Sequence, residues 1–125
     1  MRRAADLRLA LRRFHAATDR VVRSTGLTSR QYLLLLVIES SPPRSAMRIG
    51  DLAEALNLVP SSMTELLDRA ESAGLVERVA SADDGRVTHV RSTAEGRLRL
   101  RNAFRELAGE RRVLAGTALA LLSDE

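Results

Sequence analysis

Residues 49–92 read IGDLAEALNLVPSSMTELLDRAESAGLVERVASADDGRVTHVRS, and the changes of period along this stretch decide the fold. Asp51-Leu52-Ala53-Glu54-Ala55-Leu56 begins a short helix whose buried stripe is Leu52, Ala53 and Leu56. Asn57-Leu58-Val59-Pro60 makes a tight turn, and a further helix runs from about residue 60 to 73. Met63, Leu66, Leu67 and Ala70 line its apolar side, while Ser61, Ser62, Thr64, Glu65, Asp68 and Arg69 fall on the other face. Gly74 ends it as a left-handed cap. Two stretches with strand character follow, 75–79 and 87–91, joined through Asp84-Gly85, a favoured turn dipeptide. In the second, Val87, His89 and Arg91 face one side and Thr88 and Val90 the other. Short helix, tight turn, second helix and hairpin together make a winged helix-turn-helix.

Helices flank this unit. Leu7, Leu11, Phe14, Thr18, Val21 and Val22 recur at helical spacing and predict an amphipathic helix over 4–24, ending before Gly26. Thr28 and Gln31 form a capping box, and Leu27 and Tyr32 occupy the positions of a hydrophobic staple. The run from Leu33 to Ile38 is apolar nearly all round, the mark of a buried central helix. It stops at Ser40-Ser41-Pro42-Pro43, after which a short polar connector leads to residue 51. A second capping box, Ser92 to Glu95, opens a last helix that runs past Leu98, Phe104 and Leu107 toward Leu122, with Gly109 and Gly116 as weak points. The fold class is mainly α with a small antiparallel β-hairpin.

Composition narrows the function. The chain of 125 residues fits one domain, and its 45% hydrophobic content is ordinary for a globular protein. Only 2% is aromatic, so a core of Leu, Val, Ile and Ala is expected and base-stacking single-strand folds are disfavoured. Without cysteine there are no disulfides, no Cys-ligated zinc and no thiol sensing; the two histidines, His15 and His89, do not suggest a metal site, and no cofactor is expected. No stretch approaches a membrane span, and the Arg-rich N-terminus lacks the apolar run of a signal peptide, which makes the cytoplasm the default location. The net charge is +4, and all 20 cationic residues are Arg. That choice reflects a GC-rich genome more readily than function, although Arg forks suit phosphate and guanine. The flanks are basic, whereas 48–74 is acidic on balance, with Arg48 and Arg69 against Asp51, Glu54, Glu65, Asp68 and Glu71.

In a winged helix-turn-helix the second helix can enter the major groove with its N-terminal residues nearest the base edges. Small polar groups belong there, and Ser61, Ser62 and Thr64 provide them. Arg86, at the hairpin tip, is placed to reach a phosphate or a narrow minor groove. Glu65 could accept a hydrogen bond from a cytosine amino group or pair with Arg69 four residues on; the second is favoured. Asp83-Asp84 has no base, nucleophile or anion hole at a defined spacing, so no enzyme is expected. His15 and His89 are read as structural or exposed, Arg2, Arg3, Arg12 and Arg13 as a solvated face, and Arg30 as an outside candidate for an effector carboxylate.

The ordered set resembles the MarR family of bacterial regulators: Ile49-Gly50-Asp51-Leu52-Ala53-Glu54-Ala55-Leu56, Ser61-Ser62-Met63-Thr64-Glu65-Leu66-Leu67-Asp68-Arg69, Gly74-Leu75-Val76-Glu77-Arg78, Asp83-Asp84-Gly85-Arg86-Val87 and Ser92-Thr93-Ala94-Glu95-Gly96-Arg97, with Leu27-Thr28-x-x-Gln31 where the family's second helix begins. The resemblance implies a single domain over 1–125, with a DNA-binding part over 27–92 and dimerisation helices over 4–24 and 93–125. It implies that Asp84 orients Arg86 for the minor groove and that Leu7, Leu11, Phe14, Phe104 and Leu107 lie at a homodimer contact, while Glu65 and Arg69, on the outer face of the second helix, are counted with the DNA-facing set. The partners implied are double-stranded DNA, a second copy of the chain and a small aromatic or lipophilic effector. The expected function is a ligand-responsive repressor on a pseudo-palindromic operator; the rival is a winged-helix module that binds protein, suggested by the acidic balance of 48–74. Two departures stand out. Glu65 replaces a commonly basic residue, and Val59 replaces the usual capping Ser or Thr, at a cost of roughly 1 kcal/mol that Pro60 partly offsets. The chain also stops at Leu121-Leu122-Ser123-Asp124-Glu125, which resembles the junction before the family's final dimer helix. It is read either as a short member or as one missing its tail, with weaker dimerisation expected if the tail is absent.

Overall fold

The computed structural model describes residues 1–41, 46–80 and 85–123. Its chain divides into two units, Arg30–Arg101 and Met1–Ser29 with Asn102–Glu125. The elements run α1 (Arg2–Ser24), α2 (Ser29–Glu39), β1 (Ala46–Arg48), α3 (Ile49–Leu56), α4 (Pro60–Ser72), β2 (Val76–Ala80), β3 (Thr88–Ser92), α5 (Ala94–Glu106) and α6 (Ala108–Ser123).

In the first unit, α2 begins directly after Thr28, where the capping box predicts a helix start. Leu34, Leu35 and Ile38 are completely buried and Leu33 is exposed, so the apolar run keeps one wet side. Leu52 from α3, Met63 and Leu67 from α4, and Leu75, Val76 and Val90 extend the same well-buried set. The sheet has three antiparallel strands in the order β1-β3-β2. The central strand pairs Met47↔Val90 and Arg48↔His89 on one side and Glu77↔Arg91 and Val79↔His89 on the other. The hairpin strands begin one residue later than the sequence reading gives. β1 lies where that reading has only a polar connector, because three residues between Pro42-Pro43 and a helix are too few to show a period.

β3 also corrects the start of α5. Alternation turns Val90 and Ser92 inward and Arg91 outward, so Ser92 is 2% exposed and its Oγ has no hydrogen-bond partner. An inward hydroxyl cannot cap a helix, and Thr93 does so instead: the Gly96 N–H donates to Thr93 Oγ1 at 3.0 Å. Thr93 also donates from its hydroxyl to the Gly74 carbonyl (2.5 Å) and from its N–H to the Leu75 carbonyl (3.0 Å), joining α5 to the end of α4.

In the second unit α1 packs against α6, and Arg3 Nη1 donates to the Ala120 carbonyl at 3.2 Å. The fully buried members of α1 are Ala10, Ala17 and Val22; Leu7, Phe14, Thr18 and Val21 are half-buried and Leu11 is exposed. The residues that the fold covers on α1 are thus not the larger ones that the periodicity selects. The expected single long final helix is two. The break falls at Leu107, and Gly109 and Gly116 lie inside α6 rather than at weak points. Arg111 Nη1 takes the Phe104 carbonyl at 2.7 Å beside the break, and its guanidinium carbon stands 3.6 Å above the Phe104 ring centre. Among the described residues, no helix is long and apolar enough to cross a membrane.

Candidate nucleic-acid interface

The chain turns sharply to launch α4. Asn57 ends α3 in the left-handed region at φ 54°, which an Asn tolerates better than most side chains. Its N–H donates to the Glu54 carbonyl and that of Leu58 to the Ala53 carbonyl, so two of the orphan acceptors at the end of α3 are used. Val59 sits extended at the N-cap position without a side-chain cap, and Pro60 opens α4 with its φ already helical. Met63, Leu66, Leu67 and Ala70 are buried as their spacing predicts.

The outer face of α4 divides into two. At its N-terminal end Ser61 and Thr64 are exposed and Ser62 is half-buried. The Thr64 hydroxyl donates to the Pro60 carbonyl at 3.0 Å, which leaves its acceptor lone pairs facing outward. Further along, three carboxylates are held by two arginines. Glu65 pairs with Arg69 at 2.9 Å, the arrangement the i,i+4 spacing favours. Asp68 and Glu71 both hold Arg78 from β2, at 2.7 and 3.1 Å. Glu71 also accepts the Arg78 backbone N–H at 3.3 Å, so one arginine fastens the wing strand to the helix. On the sheet, Glu77 and Arg91 pair across the strands.

Arg86 is exposed beside Gly85 at the start of the return strand. Asp84, its expected orienting partner, lies outside the described residues. Ser61, Ser62, Thr64, Glu65, Arg69 and Arg86 thus all belong to the unit Arg30–Arg101. The residues expected at a dimer contact fall in the other unit with unequal exposure. Leu11 and Phe104 are exposed, Leu7 and Phe14 half-buried, and Leu107 has 0% exposure. Leu107 is thus packed within the single chain. Sequence reasoning missed the tie made by Arg78, although acids spaced by three residues followed by an arginine just past a helix-ending glycine were a signal for it. Among the described residues, no group of His, Asp or Glu could hold a metal ion.

Residues 25–87, just over half of the chain, match the MarR family. The HTH-type transcriptional repressor MdtR of Bacillus subtilis is 28% identical over 100 residues, which cover 80% of this chain and 60% of the relative. An HTH-type transcriptional repressor of Mycobacterium tuberculosis is 34% identical over 91 residues, covering 72% and 63%. The chain thus spans about three-fifths of the length of these relatives. The crystal structure of the M. tuberculosis transcriptional regulator MOSR in complex with DNA superposes with a TM-score of 0.67 at 28% identity, over 94% of this chain and 91% of that one. The ordered helices, the three-stranded wing sheet and the matched stretch agree, and the chain belongs to the MarR family.

Proposed function

We propose that this chain is a DNA-binding transcriptional regulator, without enzymatic activity, that acts in the cytoplasm as a homodimer on a pseudo-palindromic operator. The observation that carries the reading is the division of α4: small hydroxyls, those of Ser61 and Thr64 exposed, at the end that would enter the major groove, and acids further along that are held by arginines. Ser61, Ser62 and Thr64 would meet base edges or phosphates, with Arg69 beside them, while Arg86 would contact the backbone or minor groove. Glu65 would serve mainly to hold Arg69. The relatives' descriptions as transcriptional repressors and the regulator seen with DNA point the same way. The rival reading, a module that binds protein through its acidic stretch, is left with Asp51 and Glu54, because Glu65, Asp68 and Glu71 are engaged within the chain.

Dimerisation would use the unit containing α1 and α6, where Leu9, Leu11, Phe104, Val113, Leu119 and Leu122 are exposed and no residue of α6 is buried. A small aromatic or lipophilic effector, which the family resemblance implies, would find one candidate place in the winged unit. That place is an apolar groove of 280 Å³ lined by Leu36, Val37 and Met47, and about 150 Å³ suffices for benzene in an engineered cavity.

The test is a mobility shift on the intergenic DNA upstream of the chain's own gene, with wild type and Arg86→Ala. Wild type should bind, and the variant should lose roughly tenfold or more in affinity at unchanged fold and oligomeric state. Equal binding by the two would remove the wing from the interface, and no binding by wild type would favour the protein-binding rival.

A further inference from the structure

We infer that Arg48 and Arg86 together grip a backbone phosphodiester of the bound duplex, in the groove at the end of the sheet where the wing turns. This rests on the DNA-binding reading above and adds to it a phosphate contact from β1, outside both the recognition helix and the hairpin.

The first support is an account of the arginines. Between residues 46 and 92, Arg69, Arg78 and Arg91 are each ion-paired, to Glu65, to Asp68 with Glu71, and to Glu77. Arg86 is engaged within the chain as well. Arg48 is different: it is exposed and its side chain makes no hydrogen bond or ion pair among the described residues. In a stretch with an excess of acids, an arginine left unmatched keeps its full charge and all five donors for an outside partner.

The second support is position. β1 pairs with β3 antiparallel, and its last residue, Arg48, stands opposite His89, one step from the strand's first residue, Thr88. That is the end of the sheet nearest Arg86. Register partners project to the same side, so Arg48 lies on the face opposite the buried Val90.

The third is shape. Arg48 and Arg86 line one open groove of 440 Å³ together with Gly50, Asp51 and Thr88. A Cβ added at Gly50 would meet nothing within 4 Å, so the groove is open on that side. Among its described lining residues the groove carries the guanidiniums of Arg48 and Arg86 and the carboxylate of Asp51, with Arg48 the arginine not engaged within the chain. Guanidinium forks match phosphate oxygens in pairs, and a phosphodiester is the group that a duplex presents whatever its sequence.

The probe is a fluorescein-labelled duplex of the upstream intergenic DNA, with an unrelated duplex of equal length beside it. Anisotropy titrations of wild type, Arg48→Ala, Arg48→Gln and Arg48→Lys run from about 50 to about 200 mM salt. Arg48→Ala and Arg48→Gln should weaken binding to both duplexes by the same factor, roughly tenfold per protomer. They should also lower the slope of log K against log salt by about 0.9 per protomer. Arg48→Lys should recover the slope and only part of the affinity, because an ammonium keeps the charge and loses the fork. If Arg48→Ala and Arg48→Gln match wild type while wild type binds with a steep salt response, the inference is overturned and the DNA-binding reading stands. A loss confined to the upstream duplex would make Arg48 a base contact and overturn the phosphate assignment. A wild type without salt-steep binding to either duplex overturns the DNA-binding reading and this inference with it.

Discussion

Gly96→Ala should unfold this protein more easily by an amount that can be worked from three contacts. A Cβ at residue 96 would lie 2.1 Å from the Leu75 carbonyl oxygen, 3.0 Å from its carbon and 3.1 Å from Leu35 Cδ2. An ordinary carbon–oxygen approach is about 3.3 Å, so α5 and the Leu75 backbone would have to part by roughly 1.2 Å. Neither side can swing away, because the obstacle is main chain. The separation would strain the Thr93 N–H to Leu75 bond, the Thr93 hydroxyl to Gly74 bond and the Gly96 N–H cap. Each is worth about 1 kcal/mol net, and overpacking of this kind costs about 1–3 kcal/mol. Strained rather than lost, the three bonds together give up about 2 kcal/mol, and alanine's better helix propensity returns about 1 kcal/mol, leaving a net loss of about 2–4 kcal/mol. At about 4 °C per kcal/mol for a chain of this size, Tm should fall by roughly 8–16 °C. Thermal unfolding followed by circular dichroism reads this directly, with Gly116→Ala as the comparison. A Cβ at residue 116 meets nothing within 4 Å and lies inside α6, so that variant should hold or gain up to about 1 kcal/mol. If both alanine variants melt together, at or above wild type, the close approach at Leu75 is not what the fold depends on.

Arg78→Ala removes the tie from β2 to Asp68 and Glu71; these side chains are partly exposed, so the cost should be about 0.5–1.5 kcal/mol in a urea melt, shrinking as salt is raised. Leu11→Glu should leave thermal stability near wild type, since Leu11 is exposed, yet shift the mass in sedimentation toward the monomer; an unchanged dimer would remove the outer face of α1 from the proposed contact. Leu107→Ala should behave in the opposite way, lowering stability by about 2–5 kcal/mol because it opens a cavity within one chain.

How far the fold was legible depended on the length of each signal. α4 was readable because Met63, Leu66, Leu67 and Ala70 repeat over its full length between Pro60 and Gly74, and all four are buried. β1 was not, because pairing with β3 makes it a strand and nothing in Ala46-Met47-Arg48 records that partner. The cap of α5 was ambiguous for a related reason. Ser92 and Thr93 both fit a helix start, and only the strand's alternation, which fixes Ser92 inward, decides between them. On α1 the periodicity picked the large side chains, whereas Ala10 and Ala17 form the buried seam, since sequence ranks residues by hydrophobicity and close packing ranks them by size. Of the proposed site, the hydroxyls of α4 and Arg86 could be read as residue types at expected places. The unmatched state of Arg48 could not, because it depends on where every neighbouring carboxylate finds its partner.

That dependence explains how an acidic recognition segment is compatible with a polyanion. A bare carboxylate on α4 would repel phosphates over about 8 Å, the screening length at physiological salt. A carboxylate within 3.1 Å of a guanidinium presents a short dipole instead, whose field decays faster than that of a single charge. Three acids on two guanidiniums leave one net negative charge rather than three, while they fix the helix to β2 and hold Arg69 in place. A charge count over 48–74 misses this, since it weighs Glu65, Asp68 and Glu71 equally with an unpaired group. What a duplex would meet near the wing is Arg48, unmatched like Asp51 and Glu54 of the same stretch, beside the hydroxyl tip of α4. On that distribution sequence preference would come from the hydroxyls and salt-dependent affinity from the arginines, so substitutions at Ser61 should change which duplex is bound more than the salt slope, and substitutions at Arg48 the reverse.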